Sequence, residues 1–387
     1  MQYRRFGKTQ RQLSVITLGG MRFVHGWQRP RDLLPQAIID HCRSCVEQAL
    51  AAGINHFETA HGYVKSESVY GRVLNEELRV PRDSYHLMTK GSPKTADETK
   101  RMVEEQLRAL RTDHIDLYAW HGVNNEDLYA TALAKRGPVE TLHELKSQGV
   151  IRDVGFSTHA PPEIILRALD TDLFAFVNLH YYYFFQRNTV VIERAAQKDM
   201  GVFIISPNDK GGRLYDPPPL LRELTAPLSP IQWNARFCLR SPHVHTLSFG
   251  MTAPEHFQEM LGVLPAPAQL DAHDNDVLQR LDARLQLDPA SRYEGYELRP
   301  DASGIQIAEV LRLRRMWRCY DMLGFARYRY NCLKQPDHWY GGSMATEENL
   351  AKVEREQLPQ HLDVIELLRE AHRVLYEPNG AQQKRSP

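Results

Sequence analysis

A chain of 387 residues, 42% of them hydrophobic, can bury a sizeable core; it is too long for one ordinary domain and about right for a barrel with an appendage. Its 48 basic and 48 acidic residues cancel, which argues against a nucleic-acid partner. The charged N-terminus MQYRRFGKTQRQL has no apolar h-region, no run approaches the ~20 apolar residues of a membrane span, and Cys42, Cys45, Cys238, Cys319 and Cys332 form no disulfide framework, so a soluble cytoplasmic protein with no membrane partner is expected.

The first strand is expected at Leu13–Gly20, ending in a Gly-Gly turn. A loop with Trp27, Arg29 and Pro30 follows, then an amphipathic helix over Gln36–Ala52, whose Cys42 and Cys45 fall on a buried face rather than forming a redox pair. The next strand starts at Ile54 and ends in a loop carrying Glu58, Thr59, His61 and Tyr63; its helix is Ser66–Arg79. Strands at Tyr85–Lys90, Ile115–His121, Ile151–Thr158, Phe174–His180, Val202–Ser206 and Val244–Phe249 alternate with further helices as far as Pro254–Leu261. Strict alternation implies parallel strands with helical crossovers. Eight units, without a Gly-x-Gly-x-x-Gly turn after the first strand, favour a closed α/β barrel, (β/α)8, over an open doubly wound sheet.

Composition changes after Leu264. PAPAQLDAHD reads as a boundary, dividing the chain into a barrel over 1–265 and a helical extension over 266–387. The extension's helices are expected at Val277–Leu285, Gln306–Leu323, Glu348–Glu356 and Val364–Tyr376, with Arg312, Arg314, Arg315 and Arg318 forming a solvated face and GAQQKRSP frayed at the end.

A barrel of this kind carries its chemistry at the C-terminal strand ends. Those ends hold Glu58 and Tyr63, then Lys90, His121, Ser157 with Thr158 and His159, Asn178, and finally Ser206, Asn208 and Lys210. A phenol with pKa ~10 is a poor acid near neutrality. A Lys ammonium bonded to its oxygen would lower that value, and a carboxylate would keep the Lys charged and oriented. A neighbouring His can bond a carbonyl oxygen and relay the proton. The glycine-rich run Asn208–Gly212, including Lys210 and Gly211, offers backbone amides and a cation suited to a pyrophosphate.

In LGGMRF (Leu18–Phe23), HFETAHGY (His56–Tyr63), LMTKGSP (Leu87–Pro93), IDLYAWHG (Ile115–Gly122), VGFSTHAP (Val154–Pro161), VNLHYYYF (Val177–Phe184), IISPNDKGG (Ile204–Gly212) and LSFGMTAPEHF (Leu247–Phe257) the chain resembles the aldo-keto reductases. The resemblance implies a tetrad of Glu58, Tyr63, Lys90 and His121, with Tyr63 the general acid, NADPH or alternatively NADH the hydride donor, and an aldehyde or ketone the small-molecule substrate. It further implies Ser157, Thr158 and Asn178 at the nicotinamide amide, and Ser206, Asn208, Lys210 and Gly211 at the diphosphate. Gly20, Met21, Gly250, His256 and Glu259 complete the implied cofactor set. Glu58 stands where the family usually has Asp, and Ile205 where a stacking aromatic often lies. Those departures motivate the alternative expectation, a nucleotide-binding redox sensor or subunit with weak or no turnover.

The extension, through SGIQIAEVLRLRRMWRCYDMLG and RYRYNCLKQPDHWYGG, is similar to that of a subgroup bearing a ferredoxin-like iron–sulfur module. Such modules need closely spaced Cys ligands. The windows RYEGYELRPDASGI and ENLAKVEREQLPQHL contain none, so neither an iron–sulfur cluster nor another metal site is expected.

Overall fold

Short apolar runs, each followed by an amphipathic segment, bury both faces when they become parallel strands wrapped by helices. The computed structural model describes residues 1–24, 31, 33–267, 269–333 and 341–378. The loop residues Trp27, Arg29 and Pro30 and the tail GAQQKRSP lie outside the described residues.

An antiparallel hairpin, β1 (Tyr3–Arg5) and β2 (Gln12–Ser14), comes first. Eight parallel strands then close on themselves in chain order: β3 (Ile16–Gly19), β4 (His56–Glu58), β5 (His86–Gly91), β6 (Ile115–His121), β7 (Ile151–Ser157), β8 (Phe176–Leu179), β9 (Gly201–Ile204) and β10 (Thr246–Phe249). The expected (β/α)8 barrel is the architecture found. Around it run α1 (Gln36–Ala51), α2 (Ser66–Arg72), α3 (Ala96–Leu110), α4 (Glu126–Ala132), α5 (Pro138–Ser147) and α6 (Pro162–Asp170). α7 (Thr189–Gln197), α8 (Pro219–Thr225), α9 (Pro230–Leu239) and α10 (Pro254–Leu261) complete the ring. The extension contributes α11 (Ala272–Leu285), α12 (Ile307–Tyr320), α13 (Leu323–Asn331), α14 (Glu347–Leu350) and α15 (Val364–Leu375). Among the described residues no helix is long and apolar enough to cross a membrane.

Alternation along the strands divides the core in two. Inside the barrel, Met88, Leu117, Ala119, Phe176 and Phe203 pack together, and Phe6 and Leu13 from the hairpin plug the N-terminal end. The first expected strand is therefore two strands: its front half pairs with β1 as a floor, and only Ile16–Gly19 enters the barrel. A polar layer crosses the interior, where the Thr17 hydroxyl meets His56 Nδ1 at 2.8 Å and Thr246 at 2.7 Å. On the outside, α2 and α3 approach closely at Gly71, where a Cβ would lie 2.1 Å from the Ala109 carbonyl oxygen. That approach brings their side chains together behind β5.

Two expected helices are shorter than their periodicity suggests. The helix after β4 leaves α geometry at Val73 for a π turn over Val73–Glu77, and the expected Glu348–Glu356 helix is only α14 followed by a 3-10 turn. The long Gln306–Leu323 pattern is cut by Asp321, which is left-handed (φ 56°), so that α13 folds back on α12.

The arginines of α12 are not a solvated face. Arg312 and Arg314 are buried, and each guanidinium is neutralised: Arg312 by Glu309 at 2.8 Å, and Arg314 by Asp288 at 2.7 Å and Glu370 at 2.6 Å. Arg315 pairs with Asp288 and Glu294; of the four, Arg318 alone is exposed, 3.6 Å from Glu370. Buried charges persist when paired and hydrogen-bonded, and the sequence pattern does not reveal partners as distant in the chain as Asp288 and Glu370. Burial pushes the Glu309 carboxyl up, but the Arg312 and Arg329 charges overcome it and hold the carboxyl at about 2, below its ordinary 4.5. A depressed carboxyl contributes stability above its ordinary value and loses it as pH falls through the folded value. The extension is thus expected to loosen between about pH 4.5 and 2. Glu309→Gln should lower stability at neutral pH by about 3–5 kcal/mol and flatten that acid limb in denaturant titrations.

Candidate active site

The strand register brings the expected residues to one end of the barrel. Gly19 pairs with Glu58, Lys90 with Ala119, His121 with Ser157, and Ser157 with Asn178. Tyr63 follows on a 3-10 turn, His61–Tyr63, just beyond β4.

Glu58 and Lys90 are both buried and form a direct ion pair. Lys90 Nζ also donates to the Thr59 carbonyl at 3.0 Å, and Ser248 Oγ of β10 donates to Glu58 Oε2 at 3.3 Å. Gly19 leaves room for this arrangement: a Cβ there would stand 2.6 Å from Ser248 Oγ. Burial pushes the Lys90 ammonium well below its ordinary value, and the touching carboxylate opposes that push.

The expected hydrogen bond from Lys90 to the phenol is absent. The ammonium stands 5.0 Å from the centroid of the Tyr63 ring, and among the described residues Tyr63 Oη has no hydrogen-bond partner. Lys90 spends its protons on Glu58 and Thr59, which lie nearer the strand. Burial pushes the Tyr63 phenol up to about 12, so it keeps its proton throughout the neutral range. The His121 ring meets the Tyr63 ring edge-on, centroids 6.1 Å apart. Burial, with the charges of Lys90, Lys210 and His61, pushes His121 down to about 3, so the imidazole is neutral.

The next strand ends present a mixed set. Among the described residues Asn178 Nδ2 donates only to Met88 Sδ, a weak acceptor, at 3.3 Å, and its buried Oδ1 has no partner. The Thr158 hydroxyl is committed to its own loop, donating to the Val123 carbonyl at 2.5 Å and accepting from Ala160 N at 2.9 Å. Beyond these residues, His159 Nδ1 bonds His180 Nε2 at 2.5 Å, His180 Nδ1 bonds Tyr182 Oη at 2.5 Å, and Tyr182 donates to the Ile205 carbonyl. Because Tyr182 has one proton to give, the chain runs one way: His180 donates to Tyr182, and His159 donates to His180.

After β9 the chain turns at Ser206 (φ 51°) into the segment bearing Asn208, Lys210 and Gly211. Asn208 Oδ1 is buried with no partner among the described residues. Burial pulls Lys210 down to about 7, and its charge reaches His121 and His180, which places it toward the mouth. The extension packs on this segment from outside. A Cβ on Gly212 would lie 2.3 Å from Met322 Cε, and the Arg213 guanidinium stacks 3.9 Å over the Tyr328 ring. Arg312 donates to the Phe184 carbonyl at 3.3 Å, and Tyr183 donates to Asp282 at 2.7 Å, so the 181–185 segment is held as well.

The remaining expected cofactor residues divide. Gly20 packs under Ser66 and Tyr70, Met21 is exposed, and Gly250 lies under Arg22, whose Cγ a Cβ would meet at 2.7 Å. His256 Nδ1 accepts from Thr252 N at 3.1 Å, beside its own helix start. The Glu259 carboxylate accepts from Ser229 Oγ at 2.6 Å, which commits it to the N-terminus of α9. Sequence reasoning missed Ser248, Arg22 and the Thr59 carbonyl. The alternation of Thr246 and Ser248 along β10 was the available signal for the first. All five cysteines are buried thiols outside any disulfide, and the described residues include no group of three or more His, Cys, Asp or Glu able to hold a metal.

The sequence profile of the aldo/keto reductase family matches residues 15–216, just over half of the chain. An uncharacterised oxidoreductase of Bacillus subtilis is 27% identical over 173 residues, 42% of this chain and 50% of that protein. A D-arabinose 1-dehydrogenase of Saccharomyces cerevisiae is 31% identical over 153 residues, 38% of this chain and 43% of that protein. The matched stretch thus spans about half the length of these curated relatives. The holo form of an aldo-keto reductase from Bacillus halodurans superposes with a TM-score of 0.59 at 21% identity, over 72% of this chain and 96% of that one. The barrel, the order of its strand ends and the family profile agree: the chain belongs to the aldo/keto reductase family.

Proposed function

We propose that this protein reduces an aldehyde or ketone with a nicotinamide nucleotide, NADPH in the first instance, and that Tyr63 delivers the proton. The observation that carries the reading is the stack at one end of the barrel. A buried Lys90–Glu58 pair lies beneath the Tyr63 ring, and a neutral His121 stands against that ring's edge. The nucleotide, when bound, supplies a hydride. Asn178 Oδ1, which has no partner among the described residues, suits a carboxamide N–H, and Asn208 Oδ1 suits a hydroxyl. Lys210 supplies positive charge for phosphate, while Arg22 and His256 stand at the adenosine end. Ser157 would join Asn178 at the amide; Thr158 shapes the loop between them.

With His121 neutral, its N–H can bond the substrate oxygen beside Tyr63. As negative charge develops on that oxygen, the phenol gives up its proton. The ammonium over the ring favours the phenolate that results.

Lys210 gives this reading a pH signature. An ammonium titrating at about 7 holds phosphate below that value and releases it above. Nucleotide affinity, followed by fluorescence, should therefore weaken about tenfold (roughly 1.4 kcal/mol) as pH rises through 7, and Lys210→Met should bind weakly and flatly. The deciding experiment is NADPH oxidation against a panel of aldehydes and ketones. One observation favours the second reading, a nucleotide-binding sensor: the phenol lacks its expected bond from Lys90. Tight nucleotide binding without oxidation by any carbonyl would decide for it.

For the extension we propose a metal-free helical shell of the ferredoxin-bearing subgroup, divided from the barrel at residue 265. Its interior segments are tied by Arg–carboxylate pairs, such as Arg315 with Asp288 and Glu294. Buried thiols outside any disulfide fit a reducing, cytoplasmic setting.

A further inference from the structure

One buried carboxyl behind the mouth has no part in the chemistry above. Glu67 of α2 is 2% exposed and lies on the outer side of β5, away from the barrel interior. Its Oε1 accepts from Thr89 Oγ1 at 2.6 Å and from Gln106 Nε2 of α3 at 2.7 Å. The same Gln106 nitrogen lies 3.2 Å from the Lys90 carbonyl oxygen, and Gln106 Oε1 accepts from the Tyr118 hydroxyl at 2.9 Å. Side chains alternate along a strand, so Thr89 points out where Lys90 points in. The outer face of β5 is thus gripped at the residue whose ammonium meets Glu58 on the inner face.

We propose that Glu67, acting through Thr89 and Gln106, is a positioning residue for Lys90, setting where its ammonium stands beneath Tyr63. The kinetic consequence rests on the reductase reading; the structural one does not. The charged and titratable groups that face Glu67 are Arg31, Glu105 of α3 and, through Gln106, Tyr118 of β6 and Lys90 of β5. Burial raises the carboxyl to about 7, against the lowering effects of the Thr89 and Gln106 bonds and of Arg31. Below that value the acid is neutral and stays buried behind β5 with no charge to desolvate. Above it the buried carboxylate favours opening, where its pKa returns toward the ordinary 4.5, and β5 loosens.

The test compares the full-length wild type with Glu67→Gln in two measurements. Amide hydrogen exchange over residues 86–91, corrected for intrinsic rate, should speed about tenfold in the wild type between about pH 6 and 8, and kcat for aldehyde reduction should fall over the same range. In Glu67→Gln both profiles should be flat, with nucleotide affinity unchanged. Superimposable exchange profiles for the two proteins would overturn the proposal. If no carbonyl oxidises NADPH, the reductase reading fails, and exchange alone decides for Glu67. If Glu67→Gln does not fold, Tyr118→Phe decides, since it removes only the bond to Gln106. That variant should lower kcat about threefold and speed exchange over residues 86–91 at unchanged KM, and unaltered exchange would overturn the proposal.

Discussion

Tyr63→Phe is expected to lower kcat by about 10²- to 10⁴-fold, the usual worth of a general acid, while nucleotide affinity stays unchanged. The variant is a clean one. Tyr63 Oη has no hydrogen-bond partner among the described residues, so its removal strands no buried donor or acceptor. Stability should therefore change by less than about 0.5 kcal/mol, and any loss of rate can be read as loss of the proton. The phenol is held at about 12 and His121 at about 3, so neither group titrates between those values. Between them, kcat should owe its pH dependence to other groups. An unchanged kcat in Tyr63→Phe, measured with a saturating carbonyl, would remove Tyr63 from the mechanism.

The barrel and the identity of its strand ends were legible because alternation is local. Ile115–His121 needs only its own residues to announce a strand, and its last residue must then fall at the mouth. The same logic placed Glu58, Lys90, His121, Ser157 and Asn178 together. It did not give side-chain direction. Thr158 and Glu259 have suitable chemistry for a ligand, yet Val123 and Ser229 claim them, and those partners lie 35 and 30 residues away in the chain. The arginines of α12 failed for the same reason: a charged helix face reads as solvated until Asp288 and Glu370 arrive from elsewhere. The packing of the C-terminal helices onto residues 181–185 and 206–214 left no mark in the sequence pattern, since it joins residues far apart in the chain.

The pair at the base of the site should be the most costly to break. Glu58→Ala is expected to destabilise the fold by about 3–5 kcal/mol, because it leaves the Lys90 ammonium buried without its counter-charge. Replacing both partners by apolar residues of similar size, Glu58→Leu with Lys90→Met, should restore most of that loss, since desolvating two charges consumes much of what their attraction returns. The double variant should nonetheless stay inactive, with no cation beneath the Tyr63 ring to favour phenolate. Denaturant unfolding of Glu58→Leu, Lys90→Met and the double closes the cycle. Additive losses would mean that Glu58 and Lys90 are not coupled and that the contact between them has no energetic content. Glu58→Asp gives a finer test. One methylene shorter, the carboxylate cannot reach Lys90 Nζ and Ser248 Oγ together from the same backbone position, so it must give up one of them. If it keeps Lys90, activity should survive with Ser248 released. If it keeps Ser248, the shortened variant should behave as a weaker form of Glu58→Ala. The side chain that this barrel carries at position 58 is long enough to serve both partners at once.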